Sequence, residues 1–203
     1  MVSSWDVCSE GGYRTRQSRT LKNMPRYAIV EELAGLGASI YTCARTEVDL
    51  KKCLNEWKQR GLNVHGSVCD LSSRPDRENL TDVVSAHFNG KLNILSLSHH
   101  LLKASEAGSI VFISSAAAVV ALDVGCIYSA AKAAMNQITK NLACEWAKDS
   151  IRNKSVTPWV IRTPLAEQFI AKEEYSKMVV YDRTPLRRLG EAEEVSPLVA
   201  FLC

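Results

Sequence analysis

The sequence predicts an α/β fold in which helices pack on a parallel sheet. From residue 25 onward, stretches with helical periodicity alternate with short apolar stretches typical of buried strands, a pattern that favours this class. The chain has 203 residues, 46% of them apolar, which is enough for one hydrophobic core and indicates no second one. Residues 1–24 lack a sustained apolar period. We therefore expect a poorly ordered N-terminal segment over 1–24 and a single domain over 25–203.

The first half of this domain is predicted to alternate three helices with three strands. In order, these are helix 25–37, strand 38–43, helix 46–61, strand 63–69, helix 75–88 and strand 91–95. Pro25 suits a first helical turn, while Gly37 and Gly61 offer the left-handed conformation that ends a helix. Thr46 and Asp49 are spaced as a capping box, which predicts the start of the second helix.

The second half contains one unusually long helical stretch. The predicted elements are helix 99–104, strand 109–114, helix 126–148, strand 155–157, and helices 163–178 and 191–202. Helix 126–148 carries Ile127, Ala134 and Ile138 along one apolar stripe. Alanines on that helix permit close packing against another helix. We therefore expect a homo- or hetero-oligomer formed through helix 126–148.

Composition argues against several classes of function. A net charge of +3 is too small to indicate nucleic-acid binding, and the longest apolar run, 116–122, is too short to span a membrane. Seven cysteines form an odd set without a C-x-x-C pair, so we expect no disulfide framework and no metal site, and a cytoplasmic location. The basic residues between Arg14 and Arg26 leave a transit peptide or a basic arm open. A poorly ordered segment is favoured, because Asp6 and Glu10 lie just upstream.

Three polar residues are spaced for carbonyl reduction. Ser115 follows the predicted strand 109–114 and precedes Tyr128 by thirteen positions, and Lys132 follows Tyr128 by one helical turn. Hydride transfer to a carbonyl needs an acid that protonates the developing alkoxide, and a neighbouring cation makes tyrosine a better acid. The serine hydroxyl can hold the substrate oxygen in line. The alternative interpretation of Tyr128 and Lys132 is an ordinary surface pair, since this spacing also arises by chance.

These residues lie in the first two of five motifs, which are Ile113-Ser-Ser115, Tyr128-x-x-x-Lys132, Ala-Met135-Asn136, Asn141-Leu-Ala-x-Glu145 and Pro158-Trp-Val-Ile-Arg-Thr163-Pro-Leu165. Together the motifs resemble the short-chain dehydrogenase/reductase family, most closely its plant tropinone reductase-like branch, and the resemblance covers 27–203. It implies a Rossmann-like doubly wound parallel sheet and an NADP-dependent oxidoreductase that reduces a small-molecule ketone to an alcohol. It also implies that Ser115, Tyr128 and Lys132 are catalytic, with Ser115 binding the substrate.

The resemblance further implies which residues bind NADP. Tyr128 and Lys132 match the positions at the nicotinamide ribose, and Thr163 matches one at the nicotinamide end. Arg45 matches the basic residue that pairs with the 2′-phosphate, which favours NADP over NAD, and Asp70 matches the carboxylate that receives the adenine amino group. The alternatives are a solvated turn arginine for Arg45 and a helix cap for Asp70.

The sequence also departs from the family pattern. Residues 21–26 stand where the family has its glycine turn, and strand 91–95 continues directly into 96–102 where the family has further helices and a catalytic asparagine. We therefore expect an incomplete sheet, with the first strand and glycine turn, the middle helices and the last strand missing or altered. Asn153 and Lys154 would also place polar groups in a core strand. The alternative function is a catalytically inactive, truncated relative that acts as a dimerisation partner or has no stable function.

Overall fold

The computed structural model describes residues 24–90 and 99–203, in which helices and strands alternate. The helices are α1 (Pro25–Gly35), α2 (Glu47–Gln59), α3 (Arg74–His87), α4 (His99–Ala104), α5 (Cys126–Trp146), α6 (Pro164–Ile170), α7 (Glu173–Ser176) and α8 (Ser196–Leu202). The strands are β1 (Ile40–Ala44), β2 (Val64–Val68), β3 (Ser109–Ile113) and β4 (Arg152–Val156). This alternation confirms the predicted α/β class.

The described strands form two parallel pairs. Ile40 of β1 lies opposite Val64 of β2, and Ser109 of β3 lies opposite Arg152 of β4. Parallel neighbours need a crossover connection, which α2 supplies for the first pair and α5 for the second. The parallel arrangement predicted from the sequence is therefore confirmed within each pair.

One hydrophobic core links the two pairs through α1. Six of the eleven residues of α1 are buried, and five of these pack in the same cluster as Ile40 of β1, Trp57 of α2, Val156 of β4 and Val199 of α8. A helix buried on nearly all sides needs apolar residues at consecutive positions, and Tyr27 to Val30 supply them. The Tyr27 and Trp57 rings lie 4.9 Å apart within this core. Burial raises the pKa of Tyr27, and the neighbouring Glu31 carboxylate raises it further.

Most predicted helix ends are confirmed, but one cap is not. Pro25 lies in the first turn of α1, and Gly37 and Gly61 adopt the left-handed conformation, with φ of +89° and +72°. The capping box at Thr46 is wrong, because its side chain makes no hydrogen bond to the start of α2. Acidic residues in the first turn, including Asp49, instead stabilise the start of α2 by interacting with the positive end of the helix dipole.

The C-terminal third differs most from the sequence prediction. The single helix predicted over 163–178 is wrong: α6 ends at Ile170, Lys172 is extended, and the chain continues through α7 into a π-helical turn at Lys177–Asp182. The helix predicted over 191–202 begins instead as a 3₁₀ turn at Ala192–Glu194, and α8 follows. Good helix formers occupy the first break, so propensity alone gives no signal for it.

Strand β4 is longer than predicted and uses polar residues in two ways. It begins at Arg152 rather than at the predicted Ser155. The Lys154 ammonium group donates a hydrogen bond of 3.0 Å to the carbonyl of Leu202, at the C-terminal end of α8, where the helix dipole favours a cation. The buried side-chain oxygen of Asn153 has no hydrogen-bond partner among the described residues, which fits the expectation of a polar group in a core strand.

Several predictions fall outside the described residues. The N-terminal segment, apart from Met24, and the strand at 91–95 with the connection that follows it are among them. Within the ranges 24–90 and 99–203, no helix is long and apolar enough to cross a membrane. The same ranges contain no group of three or more histidine, cysteine or acidic side chains placed to hold a metal ion.

Candidate active site

Tyr128 and Lys132 lie together at the start of α5. Tyr128 is the third residue of the helix and is 37% exposed, whereas Lys132 is 6% exposed. The Lys132 ammonium nitrogen lies 5.8 Å from the centre of the Tyr128 ring and donates a hydrogen bond of 2.9 Å to the carbonyl of Ile113, the last residue of β3. The strand end thus holds a buried cation beside a phenol that solvent can reach.

Ser115 follows β3 by two residues, beside a serine that is bonded to α5. Its neighbour Ser114 is buried and donates a hydrogen bond of 2.9 Å to the Lys132 carbonyl, which ties the end of β3 to α5. Ser115 itself caps a 3₁₀ turn at Ala116–Ala118, and its hydroxyl oxygen accepts a bond of 3.2 Å from the Ala117 amide. A hydroxyl that accepts one bond still has its own hydrogen to donate to a substrate oxygen.

Thr163 follows β4 at the start of α6. Its hydroxyl oxygen accepts a hydrogen bond of 3.1 Å from the Ala166 amide, so the residue is the N-cap of that helix. This cap fixes the backbone conformation at the start of α6, after β4 has ended. The predicted contact with the nicotinamide end would be made from this position.

Arg45 and Asp70 lie just beyond the ends of β1 and β2. Two hydrogen bonds from Ser72 to the same oxygen of Asp70, of 2.9 and 2.8 Å, hold the pKa of Asp70 below its ordinary value, and the charge of Arg45 contributes in the same direction. The alternative interpretation of Asp70 as a helix cap is wrong, because Ser73 caps α3. Parallel strands end at one edge of their sheet, so the two charged residues share an edge.

The start of α1 is poorly equipped to bind phosphate. Pro25 lacks an amide hydrogen, and the amides of Tyr27 and Ala28 both donate to the carbonyl of Met24. Glycines normally allow the backbone to approach a pyrophosphate closely at such a helix start, and none occurs there. The structure therefore agrees with the absence of a glycine turn in the sequence.

Sequence reasoning missed two residues near Tyr128. Burial raises the pKa of Tyr175, and the nearby Asp123 and Tyr128 raise it further, so the three side chains are close enough to interact. The rings of Tyr175 and Phe169 lie 5.9 Å apart. Neither residue belongs to a motif, and the break between α6 and α7 that positions Tyr175 leaves no mark in the sequence.

One concave surface of the described residues lies away from the predicted site. A cleft of about 520 Å³ runs beside the end of β4 and is lined by Trp159, Leu186, Leu198 and other residues of that region. It contains none of the predicted site residues. The volume of a cleft therefore does not identify the predicted active site in this protein.

Comparison with protein-family models accounts for most of the chain. Residues 27–98 match the model described as short chain dehydrogenase, and residues 96–203 match the model described as enoyl-(acyl carrier protein) reductase. A tropinone reductase homolog from Arabidopsis thaliana is 48% identical over 211 residues, which cover 87% of this chain and 80% of the relative. The chain belongs to the short-chain dehydrogenase/reductase family.

Other relatives point to the same branch of the short-chain dehydrogenase/reductase family. Senescence-associated protein 13 of Arabidopsis thaliana is 49% identical, with 87% of this chain and 78% of the relative covered. A tropinone reductase homolog from Datura stramonium is 44% identical, with 87% and 80% covered. The predicted resemblance to the tropinone reductase-like branch is therefore confirmed, as is membership in a family of oxidoreductases.

Solved structures confirm the Rossmann-like fold of this short-chain dehydrogenase/reductase. The structure of gox2181 matches with a TM-score of 0.80 at 22% identity and covers 88% of this chain and 83% of that one. An actinorhodin polyketide ketoreductase with NADPH matches with a TM-score of 0.76 at 24% identity and covers 88% and 85%. At these identities the likeness concerns the fold alone.

The family comparison also supports an incomplete domain. The alignment with the first Arabidopsis relative runs over 211 residues, whereas 87% of this chain is about 177 residues. The aligned span of that relative is therefore longer by about 34 residues, the difference between these two lengths. This agrees with the prediction that elements of the family pattern are missing from within the chain.

Proposed function

We propose that this protein is an NADP-dependent oxidoreductase that reduces a small-molecule ketone to an alcohol. The observation that carries the proposal is the Lys132 ammonium group, buried and 5.8 Å from the ring of the accessible Tyr128, at a strand end adjoining Ser115. Carbonyl reduction needs a proton donor of this kind, and a nearby cation stabilises the phenolate left behind. Free thiols at all six described cysteines support a reducing compartment, so we place the enzyme in the cytoplasm.

Each of the three residues has a distinct role in the proposed reaction. Tyr128 donates its hydroxyl proton to the substrate oxygen as that oxygen gains negative charge. Lys132 stabilises the resulting phenolate, and its bond to the Ile113 carbonyl keeps the ammonium group in place. Ser115 donates a hydrogen bond to the same substrate oxygen and thereby orients the carbonyl. NADPH, when bound, supplies the hydride.

The residues present fit the two ends of NADPH better than its middle. Arg45 and Asp70 offer a cation and a carboxylate at one sheet edge, and Thr163 with Lys132 lies at the other pair of strands. Pro25 removes one amide donor from the start of α1, where a pyrophosphate would be held. We therefore expect cofactor binding that depends strongly on the side chains at the two ends.

Cofactor binding is tested by titrating the protein with NADPH and following the fluorescence of the cofactor. Saturable binding is expected, and its absence up to millimolar NADPH would contradict the proposal. Arg45→Glu should weaken NADPH more than NADH, because the guanidinium group is proposed to face the 2′-phosphate. Lys140→Glu, an equal charge reversal on α5, is the control. An equal loss of affinity for NADPH and NADH in the Arg45 variant would show that Arg45 does not bind the 2′-phosphate.

Turnover is tested with Tyr128→Phe, which removes only the hydroxyl. We expect kcat to fall by about a hundredfold or more, because general acid catalysis typically contributes factors of that size, with a smaller loss of NADPH affinity because the hydroxyl is also proposed to bind the nicotinamide ribose. Consumption of NADPH is followed by absorbance with a panel of neutral ketones. Unchanged kcat in the variant would show that another group donates the proton.

A second function, pairing with a full-length relative, is favoured by the exposed face of α5. Ile127 is 80% exposed and Ile138 is 47% exposed, which is unusual for large apolar residues on a helix. We propose that this face binds another copy or a relative of the same family. The double variant Ile127→Glu and Ile138→Glu should abolish co-purification with a full-length relative, whereas Leu36→Glu, at a site 70% exposed after α1, should not. If all variants co-purify equally with the full-length relative, this face of α5 is not the binding surface.

A further inference from the structure

Two histidines from different elements lie side by side at β2. The rings of His65 in β2 and of His87, the last residue of α3, have their centres 4.3 Å apart and an angle of 54° between their planes. Both side chains are exposed, so water and dissolved ions can reach them. The sequence predicts no metal site, because its metal-binding residue types are not clustered along the chain. This pair is formed only by the fold, which brings the end of α3 against β2.

Neighbouring aromatic rings fix the orientation of His87. Its ring centre lies 4.6 Å from that of Phe88 and 5.5 Å from that of the buried Tyr41, at interplanar angles of 87° and 64°. A side chain that is already held in place loses little freedom when it binds a ligand. His87 is therefore positioned for binding before any ligand arrives.

Hydrogen bonds at the start of β2 determine which nitrogen of His65 carries the hydrogen. The Asn63 amide nitrogen donates to the Ser39 hydroxyl oxygen, and the Asn63 amide oxygen lies 3.1 Å from Nε2 of His65. An amide oxygen can only accept a hydrogen bond, so Nε2 is the donor and the lone pair of the neutral ring is on Nδ1. Histidines that bind a metal through one nitrogen almost always donate a hydrogen bond from the other.

The spacing of the two rings suits a single metal ion. Zinc binds an imidazole nitrogen at about 2.0 Å, and two such bonds at about 90–110° to each other place the ring centres about 4.5–5 Å apart. The observed separation of 4.3 Å requires only a small opening of the pair. A cavity of about 460 Å³, lined by both histidines and by Tyr41, Val64 and Val83, leaves room for the other ligands.

We propose that His65 and His87 together bind a zinc ion, with water at its remaining positions. Neutral imidazole is among the preferred ligands of zinc. The pKa of His65 lies below its ordinary value, because partial burial and then the neighbouring His87 disfavour the charged ring. Two protein ligands agree with the finding that residues 24–90 and 99–203 contain no larger group of metal-binding side chains. The ion would join β2 to the end of α3, independently of the proposed reductase reaction.

The test titrates the protein with Zn²⁺ and follows the imidazole rings by ¹H–¹⁵N NMR. The signals of His65 and His87 should move along one saturation curve, whereas those of His100, which is exposed on α4, should not move. The exposed thiols of Cys126 and Cys144 can also bind Zn²⁺, and following each ring separately keeps their binding apart from that of the pair. Ring signals of His65 and His87 that stay in place up to millimolar Zn²⁺ would overturn the inference.

A matched pair of variants tests whether the two histidines share one ion. His87→Gln should raise the Kd measured at His65 by at least about tenfold, the loss that removal of even an outer partner of a metal ligand typically causes. His100→Gln makes the same change outside the pair and should leave that Kd unchanged. Both positions are exposed, so neither variant removes packing from the core. If His65 binds Zn²⁺ as tightly in the His87 variant as in the wild type, the two histidines do not share an ion and the inference fails.

Discussion

The reactivity of Cys43 gives a direct test that β1, which precedes the proposed cofactor residue Arg45, is formed. Cys43 lies in β1, two residues before Arg45, and burial with the neighbouring thiol Cys69 raises its pKa from 9.0 to about 12. Only the thiolate is alkylated, so at pH 8 the folded chain offers about a thousand times less thiolate at Cys43 than at an ordinary cysteine. Cys126 and Cys144 are exposed and serve as the internal references.

The assay alkylates the native protein with iodoacetamide at pH 8 and measures each cysteine by peptide mass spectrometry over time. Cys126 and Cys144 should react within minutes, and Cys43 should lag by at least two orders of magnitude. In guanidinium chloride, which unfolds the protein, all the cysteines should be alkylated at similar rates. Equal rates for Cys43 and Cys126 without denaturant would refute this account of β1.

Three further predictions concern other parts of the fold. Glu194 is held by Arg188 and the Glu191 amide, which lower its pKa from 4.5 to about 2. Glu194→Gln should therefore lower the melting temperature at pH 7, with a difference that is present above pH 4.5 and shrinks toward pH 2. Lys154→Met removes the bond to Leu202 and should lower the free energy of unfolding, measured by urea denaturation, by about 1–2 kcal/mol. At Gly66, an added methyl would lie 2.8 Å from the Thr42 carbonyl oxygen of the paired strand, so Gly66→Ala should cost about 1–3 kcal/mol by the same measurement.

The alternation of helices and strands was predictable because it depends on local periodicity. The apolar run Ile110–Ile113 is typical of a buried strand, and Gly37 and Gly61 mark left-handed helix ends. The break between α6 and α7 was not predictable. It depends on a single extended residue, Lys172, within a stretch of good helix formers.

The site was predictable to the extent that it is encoded by spacing. Tyr128 and Lys132 must share a helix face if they are four residues apart on α5, and the structure places them so. Asp123 and Tyr175 come from a loop and a short helix that are far apart in the chain. Their proximity depends on tertiary contacts such as the bond from Arg183 to the loop, which a single sequence does not reveal.

The distribution of the site residues over the two parallel pairs sets a physical condition for activity. Arg45 and Asp70 follow β1 and β2, whereas Tyr128 and Lys132 lie on α5 beside β3, and the buried helix α1 packs in one core with residues of both strand pairs. With Pro25 in its first turn, α1 offers little direct binding to a phosphate, so in the proposed function it would mainly hold the two ends of the cofactor site at a fixed separation. A substitution such as Ile29→Ala in this core should therefore weaken the binding of NADPH more than the binding of adenosine 2′,5′-bisphosphate. The smaller ligand occupies only the end of the proposed cofactor site near Arg45 and Asp70. Equal weakening of both ligands would show that the two strand pairs do not act together on the cofactor.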